Sequence, residues 1–185
     1  MDVKKIITDQ GLSDFPVGLG GCRNSKSNFD SCGFDVIVFD GKSESNSVLN
    51  IANEFVTIHH ASFSETSSKK LIQYDNLQII QDESWELRMF LSKINQKLPS
   101  LFLDNAKNSL IESLFCCQKT KEAIQNSNVF APCWQKCASF HLADAISSLN
   151  NQRSSPSHML DLLRKLEKNS TNEHISIVTQ TVGIE

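Results

Sequence analysis

The sequence lacks several features that would place it in a broad class of proteins. In 185 residues no apolar run approaches the roughly 18 residues of a membrane-spanning helix. The start, Met1–Lys5, is not followed by the apolar core of a signal peptide. A formal net charge of -3 excludes a broad basic surface for nucleic acid. We therefore expect a cytoplasmic protein that contacts neither a membrane nor an extended nucleic-acid surface.

Tyrosine and tryptophan are scarce, and cysteine is present without a disulfide pattern. The chain has 11 Phe but 1 Tyr and 2 Trp, a balance that favours buried packing over stacking platforms for bases. Its 6 cysteines are too few for a disulfide scaffold in a chain of this length. Cys116 and Cys117 are also adjacent, so they do not pair readily with each other. We expect reduced thiols.

The residues that are present can build a packed core, and their pattern changes near residue 83. Hydrophobic residues make up 39% and charged residues 21% of the chain, proportions typical of a folded domain. Before residue 83, short β-branched and aromatic runs alternate with Gly, Ser and Asn; after it, apolar residues recur every three or four positions. We predict an α+β protein, with a small mixed β-sheet domain at 1–83 followed by an α-helical bundle at 84–185.

The first part predicts one short helix and a set of strands. Val3, Ile6 and Ile7 have the spacing of the helix. The predicted strands are Phe15–Gly21, Phe34–Asp40, Phe55–His60, and Leu71–Tyr74 taken together with Leu77–Ile80. Segment 64–70 would be the turn before the last of these. His59 and His60 would point to opposite faces of their strand, so they would not serve one metal.

The second part predicts a series of helices. The first would follow Asp82 and Ser84 as caps and carry Leu87, Phe90, Leu91, Ile94 and Leu98. Asp104 would cap a second helix. One side of that helix would carry Ala106, Leu110, Leu114, Cys117 and Ile124. Pro132 suits the first turn of a third, which runs to about Leu149, and Ser155-Pro156 would open a fourth. Ser170 and Glu173 form a capping box for the remaining segment.

Residues 17 to 39 carry the most informative pattern. The apolar run Val17-Gly18-Leu19 leads into Gly20-Gly21, and eleven residues lie between that pair and Gly33-Phe34-Asp35-Val36-Ile37-Val38. This arrangement resembles the signature of the polymerase-beta-like nucleotidyltransferase superfamily, in which a glycine pair follows an apolar strand and Asp-x-Asp lies on the next strand. The predicted two-part layout is similar to that of aminoglycoside nucleotidyltransferases.

The chemistry of nucleotidyl transfer explains why this pattern is informative. Positions i and i+2 of a strand face the same side, so Asp-x-Asp presents two carboxylates to the Mg²⁺ ions that hold a triphosphate. A glycine turn lets backbone N–H groups approach the phosphates. Here Gly33 occupies the first aspartate position and only Asp35 remains. For the third carboxylate of the family the candidate is Glu54, and Asp30 could compensate from the loop.

The resemblance implies a nucleotidyltransferase-like protein whose catalysis is weak or absent. Gly20 and Gly21 would approach the phosphates of a nucleoside triphosphate, and Asp35 would be the remaining catalytic carboxylate. Asp35 and Glu54 would be the ligands of Mg²⁺. Because one carboxylate of the motif is missing, two-metal catalysis should be badly impaired. A glycine hairpin with an aspartate at a strand edge would give the same pattern with no such function.

Functions of other classes stay open. A non-catalytic interaction module, such as a homodimer formed through the exposed sides of the helical part, is one. An RNA-cleaving helical domain is another, since Arg153 and His158 have the spacing of an Arg-x(4–6)-His motif. One helix would also stack the zinc-ligand types Cys133, Cys137, His141 and Asp144, although free cysteines on an apolar helix are more often simply buried.

Overall fold

The structure, a computed structural model, describes residues 2–22, 32–42, 46–51, 53–153, 155 and 158–167. Its contacts divide the chain into two units, which we call unit 1 (Met1–Leu98) and unit 2 (Pro99–Glu185). The division into domains at 1–83 and 84–185 stays a prediction. The residues predicted to follow the Ser170 capping box lie outside the described part of the chain.

Unit 1 is built on a five-stranded mixed sheet of order β3-β4-β2-β1-β5. The strands are β1 (Val17–Gly20), β2 (Phe34–Val38), β3 (Ser47–Ile51), β4 (Glu54–His60) and β5 (Gln78–Gln81). β2 and β4 are parallel, and the other neighbouring strands are antiparallel. This sheet, with the helices around it and after it, confirms the predicted α+β class.

The core of unit 1 follows from the alternation of side chains along the strands. One cluster of aliphatic side chains joins the sheet to helix α1 (Val3–Asp9). Its buried members are Ile6, Ile7, Leu12, Val17, Val36, Val38, Val56 and Ile58. The rings of Phe39, Phe63, Tyr74 and Phe90 form a second cluster, with centroid distances from 4.8 to 6.1 Å. The central strand β2 is therefore held firmly in place.

Carboxylates define the start of two helices. The Asp2 side chain accepts hydrogen bonds from the amides of Lys4 and Lys5 at the start of α1. Asp82 accepts from two amides in the first turn of helix α3 (Glu86–Gln125). Both satisfy N–H groups that have no partner within a helix. The cap predicted at Asp82 is confirmed.

The strand predicted at Leu71–Tyr74 is wrong. Helix α2 (Ser68–Leu71) and a 3₁₀ turn (Ile72–Tyr74) occupy this segment and part of the predicted turn at 64–70. A short apolar run does not distinguish a strand from a buried helical turn by itself. Strand β3 was not predicted at all; it pairs with β4 through a tight connection in which Asn53 has φ +66°.

The helix predicted to begin at Asp104 is also wrong as a separate element. α3 runs without a break from Glu86 to Gln125 and contains Pro99. Asp104 therefore lies inside the helix, 3.9 Å from Lys107 Nζ. A proline removes one helical hydrogen bond, but here it does not end the helix. Helices α4 (Ala131–Leu149) and α5 (Met159–Lys165) confirm the two predictions that follow.

Unit 2 has an unusual distribution of side chains on α3. Phe102 is buried, but the other buried residues of α3 in this unit are small or polar: Asn105, Ala106, Ser109, Ser113, Cys116 and Ala123. Of the five residues predicted to share one side of a helix, Ala106 is buried, but Leu110, Leu114, Cys117 and Ile124 are exposed. Most of that predicted side is therefore exposed to solvent.

Hydrogen bonds between polar side chains join α3 and α4. Asp144 Oδ2 accepts from Ser109 Oγ (2.6 Å) and Asn105 Nδ2 (3.2 Å), and Asn105 Nδ2 also donates to Ser148 Oγ (2.8 Å). Ser113 Oγ donates to the carbonyl oxygen of Ala138. We call these five side chains, Asn105, Ser109, Ser113, Asp144 and Ser148, the polar seam.

Among the described residues, no helix is both long and apolar enough to cross a membrane.

Candidate functional site

Asp35 lies on the central strand of the sheet. It is paired in register with Gly20 of β1 on one side and with Thr57 of β4 on the other. Its side chain is 37% exposed, although the next residue, Val36, is fully buried. The sheet therefore presents this carboxylate to solvent from an otherwise apolar strand.

Gly21 lies directly against that carboxylate. Its φ of +78° is in the left-handed region, which glycine adopts without strain. A Cβ atom at this position would overlap Asp35 Oδ2. Both the backbone conformation and the space therefore require glycine here. The structure thus brings together Gly20, Gly21 and Asp35, three of the residues singled out from the sequence.

His59 holds the other oxygen of Asp35. Its Nε2 lies 3.1 Å from Asp35 Oδ1, and its side chain is 36% exposed. His59 follows Thr57 by two positions, so both residues face the same side of the sheet as Asp35. The two histidines were predicted to lie on opposite faces of their strand, but the pairing of His59 with Asp35 was not predicted. It depends on the parallel register of β2 and β4, which the residues of one strand alone do not specify.

Residue 33, which is Gly33 where the motif has its first aspartate, has no room for a side chain. A Cβ atom at Gly33 would lie 2.8 Å from the carbonyl oxygen of Phe55, a backbone atom of β4. An aspartate at residue 33 would have to displace that strand. The missing carboxylate is therefore part of how β2 and β4 pack in this chain.

Glu54 does not join Asp35. It is the first residue of β4 and precedes Thr57 by three positions, so alternation sends its side chain to the opposite face. Its role as a metal ligand stays a prediction. Asp30 lies outside the described residues. Within the described residues of this site, Asp35 is thus paired with an imidazole rather than with a second carboxylate.

Two thiols lie next to this group. Burial raises the pKa of Cys22 to about 11, with further contributions from the neighbouring thiol of Cys32 and the charge of Asp35. Cys22 is therefore protonated at neutral pH.

A second carboxylate–imidazole pair lies at the end of β2. Asp40 has no exposed side-chain surface, and its Oδ2 lies 2.7 Å from His60 Nδ1 and 3.6 Å from Lys42 Nζ. Burial would raise the pKa of Asp40, but hydrogen bonds from the Lys42 amide and from His60 lower it below 3.8. Because this carboxylate is enclosed, we assign it a structural role.

The other candidates from the sequence are placed in unit 2. Asp144 accepts hydrogen bonds in the polar seam, while Cys133 and Cys137 are exposed on α4. Arg153 is exposed, but His158, directly before α5, is only 7% exposed. A buried imidazole is poorly placed to reach the backbone of an RNA strand, so this arrangement does not favour the RNA-cleaving alternative.

Comparisons with known proteins give little. No protein-family model matches the chain, and no curated protein does. Among solved structures, a crystal structure of a nucleotidyltransferase-like protein from Exiguobacterium sibiricum 255-15 matches 98% of this chain and 72% of its own, with a TM-score of 0.44 and 13% identity. A likeness this distant does not indicate a function for this chain.

Proposed function

We propose that unit 1 is a nucleotidyltransferase-like domain that binds a nucleoside triphosphate with a single Mg²⁺ and transfers nucleotides weakly or not at all. The observation that carries this proposal is the contact between Gly21 and Asp35. Exposed backbone at a glycine turn can approach phosphate oxygens, and the adjacent carboxylate is a hard oxygen ligand of the kind that Mg²⁺ prefers.

The pairing with His59 is compatible with this role. His59 occupies Oδ1 of Asp35, and Oδ2 lies on the side of Gly21. A neighbour that fixes one carboxylate oxygen orients the other toward a metal ion. In this arrangement His59 is a positioning residue, and Asp35 would hold the Mg²⁺, which would supply positive charge to the phosphates.

Weak catalysis follows from the same geometry. Two-metal transfer requires more than one carboxylate around the ions, so that both the attacking and the leaving oxygen are stabilised. The face of the sheet around Asp35 carries Thr57 and His59 on β4, and residue 33 has no room for a side chain. One Mg²⁺ at Asp35 would bind the triphosphate but would not activate an acceptor.

The direct test is thermal unfolding with each of the four ribonucleoside triphosphates, with and without Mg²⁺. A ligand present at 100 times its Kd stabilises the folded state by about 2.7 kcal/mol, which is a rise of roughly 5–10 °C in a chain of this size. We expect this rise in the wild type with Mg²⁺ and not in Asp35→Ala. No rise with any nucleotide in the wild type would overturn the proposal.

Two glycines provide a matched control. Gly11 and Gly21 both have positive φ, +66° and +78°, but a Cβ at Gly11 would have nothing within 4 Å. Gly11→Ala and Gly21→Ala should therefore carry similar backbone strain, whereas only Gly21→Ala displaces the Asp35 carboxylate. We expect Gly11→Ala to retain the nucleotide response and Gly21→Ala to lose it. Equal responses in both variants would place the nucleotide elsewhere.

A specific observation also favours the interaction module. Six large apolar side chains of α3, which we call the outer stripe, are 46 to 64% exposed. They are Leu103, Leu110, Ile111, Leu114, Phe115 and Ile124. Monomeric proteins rarely leave a continuous apolar patch of this kind uncovered. We propose a second copy of the chain as the occupant, since two such helices would bury their stripes against each other.

The oligomeric state tests this second candidate. We expect a dimer by light scattering at high micromolar concentration in the wild type and a monomer in Leu114→Lys, since a buried charge in a helix interface is strongly unfavourable. Val129→Lys is the control because Val129 is 82% exposed in the turn between α3 and α4 and lies off the stripe. A monomeric wild type, or a dimer that Leu114→Lys leaves intact, would contradict this candidate.

A further inference from the structure

Two of the cysteines lie together just beyond the paired ends of β1 and β2. The sulfur atoms of Cys22 and Cys32 are within 4.8 Å of each other. Burial and, after it, a hydrogen bond between the two thiols raise the pKa of Cys22. Both residues are partly buried. We propose that Cys22 and Cys32 form a reversible disulfide, which makes this pair a redox-responsive modification site next to Asp35.

The strand register supports the bridge. Gly20 and Asp35 are the last paired residues of β1 and β2, so Cys22 follows the end of β1 by two residues and Cys32 precedes Asp35 by three. A disulfide requires Cα atoms about 4.4 to 6.8 Å apart and an S–S distance of about 2.05 Å. Because the two sulfurs are already within 4.8 Å of each other, a small movement of the two side chains closes the bond.

Cysteines that are close in sequence on the helices do not have this geometry. Cys133 and Cys137 are both exposed and lie four residues apart on α4. Cβ atoms at that spacing on a helix are about 5–6 Å apart, whereas a disulfide needs about 3.5–4.5 Å. Cys116 is buried and its neighbour Cys117 is exposed. These residues serve as internal controls for the pair at 22 and 32.

The oxidant in this reaction is a small-molecule disulfide such as oxidised glutathione. The Cys32 thiolate attacks one of its sulfurs, forming a mixed disulfide and releasing one glutathione thiolate. Cys22 then loses its proton and attacks the Cys32 sulfur, which breaks the mixed disulfide and releases the second glutathione. Two protein thiols are thereby oxidised and one small disulfide is reduced to two thiols.

The raised pKa of Cys22 assigns the order of the two steps. A thiol with a pKa of about 11 is a poor first nucleophile at neutral pH. Two of the causes of that rise are the hydrogen bond and the charge from Cys32. Both disappear once Cys32 is part of a mixed disulfide, whereas burial, the largest cause, persists, so the pKa of Cys22 falls only part of the way toward that of an ordinary thiol.

The experiment is to incubate the folded chain with oxidised glutathione, block free thiols, digest with trypsin and identify linked peptides by mass. Arg23 and Lys26 lie between the two cysteines in the sequence, so digestion separates them unless a disulfide joins them. We expect a Cys22–Cys32 linked peptide that reduced glutathione reverses, and a rise of roughly 5–10 °C in the unfolding temperature.

Variants and controls make the result decisive. Cys22→Ser should stop at a stable Cys32–glutathione adduct, and Cys133→Ser should leave the linked peptide unchanged. The wild-type measurement needs no variant to fold. Glutathione adducts without a link between residues 22 and 32, or links scattered among all 6 cysteines, would overturn the proposal. Because the readout is the bond itself, failure of nucleotide binding would not affect it.

Discussion

The interiors of the two units are built on different principles. In unit 1, Val17, Val36, Val38 and Val56 have no exposed surface, and Ile58 retains 2%. In unit 2, the polar seam joins α3 and α4, and the side chains of the outer stripe are 46 to 64% exposed. Unit 1 thus buries its aliphatic side chains almost completely, whereas the α3–α4 contact of unit 2 includes a network of hydrogen bonds between side chains.

Buried apolar side chains and buried polar side chains differ in what they contribute to the free energy of unfolding. Apolar burial is favourable in proportion to the area removed from water, so the valine and isoleucine cluster needs nothing further. A typical hydrogen bond contributes only about 0.5–1.5 kcal/mol net, but a buried group left unsatisfied costs about 1–3 kcal/mol. Asn105 Oδ1 is such a group among the described residues. The apolar surface that a partner could still remove from water in unit 2 is the exposed outer stripe.

The largest expected effect compares two isoleucines. Ile58→Ala removes a side chain that is 2% exposed in the core of unit 1, whereas Ile124→Ala removes one that is 64% exposed on the outer stripe. We expect Ile58→Ala to lower the free energy of unfolding by about 2–5 kcal/mol and Ile124→Ala by less than about 0.5 kcal/mol in the monomer. Urea titrations measure both. Equal losses would mean that the outer stripe is covered even in the monomer.

The second effect concerns the polar seam. Asp144→Ala leaves the donors Asn105 and Ser109 without their shared acceptor, and we expect the free energy of unfolding to fall by about 1–3 kcal/mol. Asp161→Ala is the control because Asp161 has a half-exposed side chain, 3.9 Å from Arg164 on α5, where an ion pair contributes little. A loss of the same size in both variants would show that the seam does not stabilise unit 2.

The sequence predicted the sheet residues better than their partners. Alternation and β-branched residues identified β2, and the glycine pair placed Gly21 near Asp35. The pairing of Asp35 with His59 depends on the parallel register between β2 and β4, which no local pattern specifies. Glu54 lies on the other face of β4 from His59, so it faces away from Asp35. Strand alternation alone could have shown that Glu54 and His59 lie on opposite faces of β4.

In the helical part, spacing grouped residues on a face but did not show whether that face is buried or exposed. Spacing correctly grouped Leu110, Leu114 and Ile124 on one face of α3, but helical periodicity does not state which face is buried. Asn105, Ser109 and Ser113 recur every four residues as well, and they face inward because Asp144 and Ser148 meet them from α4. That match between two helices is a tertiary property. The polar inward face could be predicted only by considering both helices together.

The smallest expected effect tests whether carboxylate pairing adds to the apolar core of unit 1. The pKa of Asp40 is lowered in the folded chain, since its bonds with the Lys42 amide and His60 outweigh its burial. The stability that this carboxylate contributes is therefore fully present above the unfolded pKa of 3.8. It is lost as the pH falls through the lower pKa of the folded state.

Asp40→Asn should flatten this part of the pH dependence, because asparagine keeps an oxygen that can accept the hydrogen bonds but does not titrate. We expect wild type and variant to converge in stability at low pH and to differ most near neutral pH, as measured by urea unfolding at a series of pH values. Asp104→Asn is the matched control, since the Asp104 side chain is 59% exposed and its Oδ1 lies 3.9 Å from the similarly exposed Lys107 Nζ, where an ion pair contributes little. If Asp40→Asn and Asp104→Asn changed the pH profile equally, the enclosed pair of Asp40 with His60 would contribute nothing to the free energy of unfolding. The stability of unit 1 would then come from its buried valines and isoleucines.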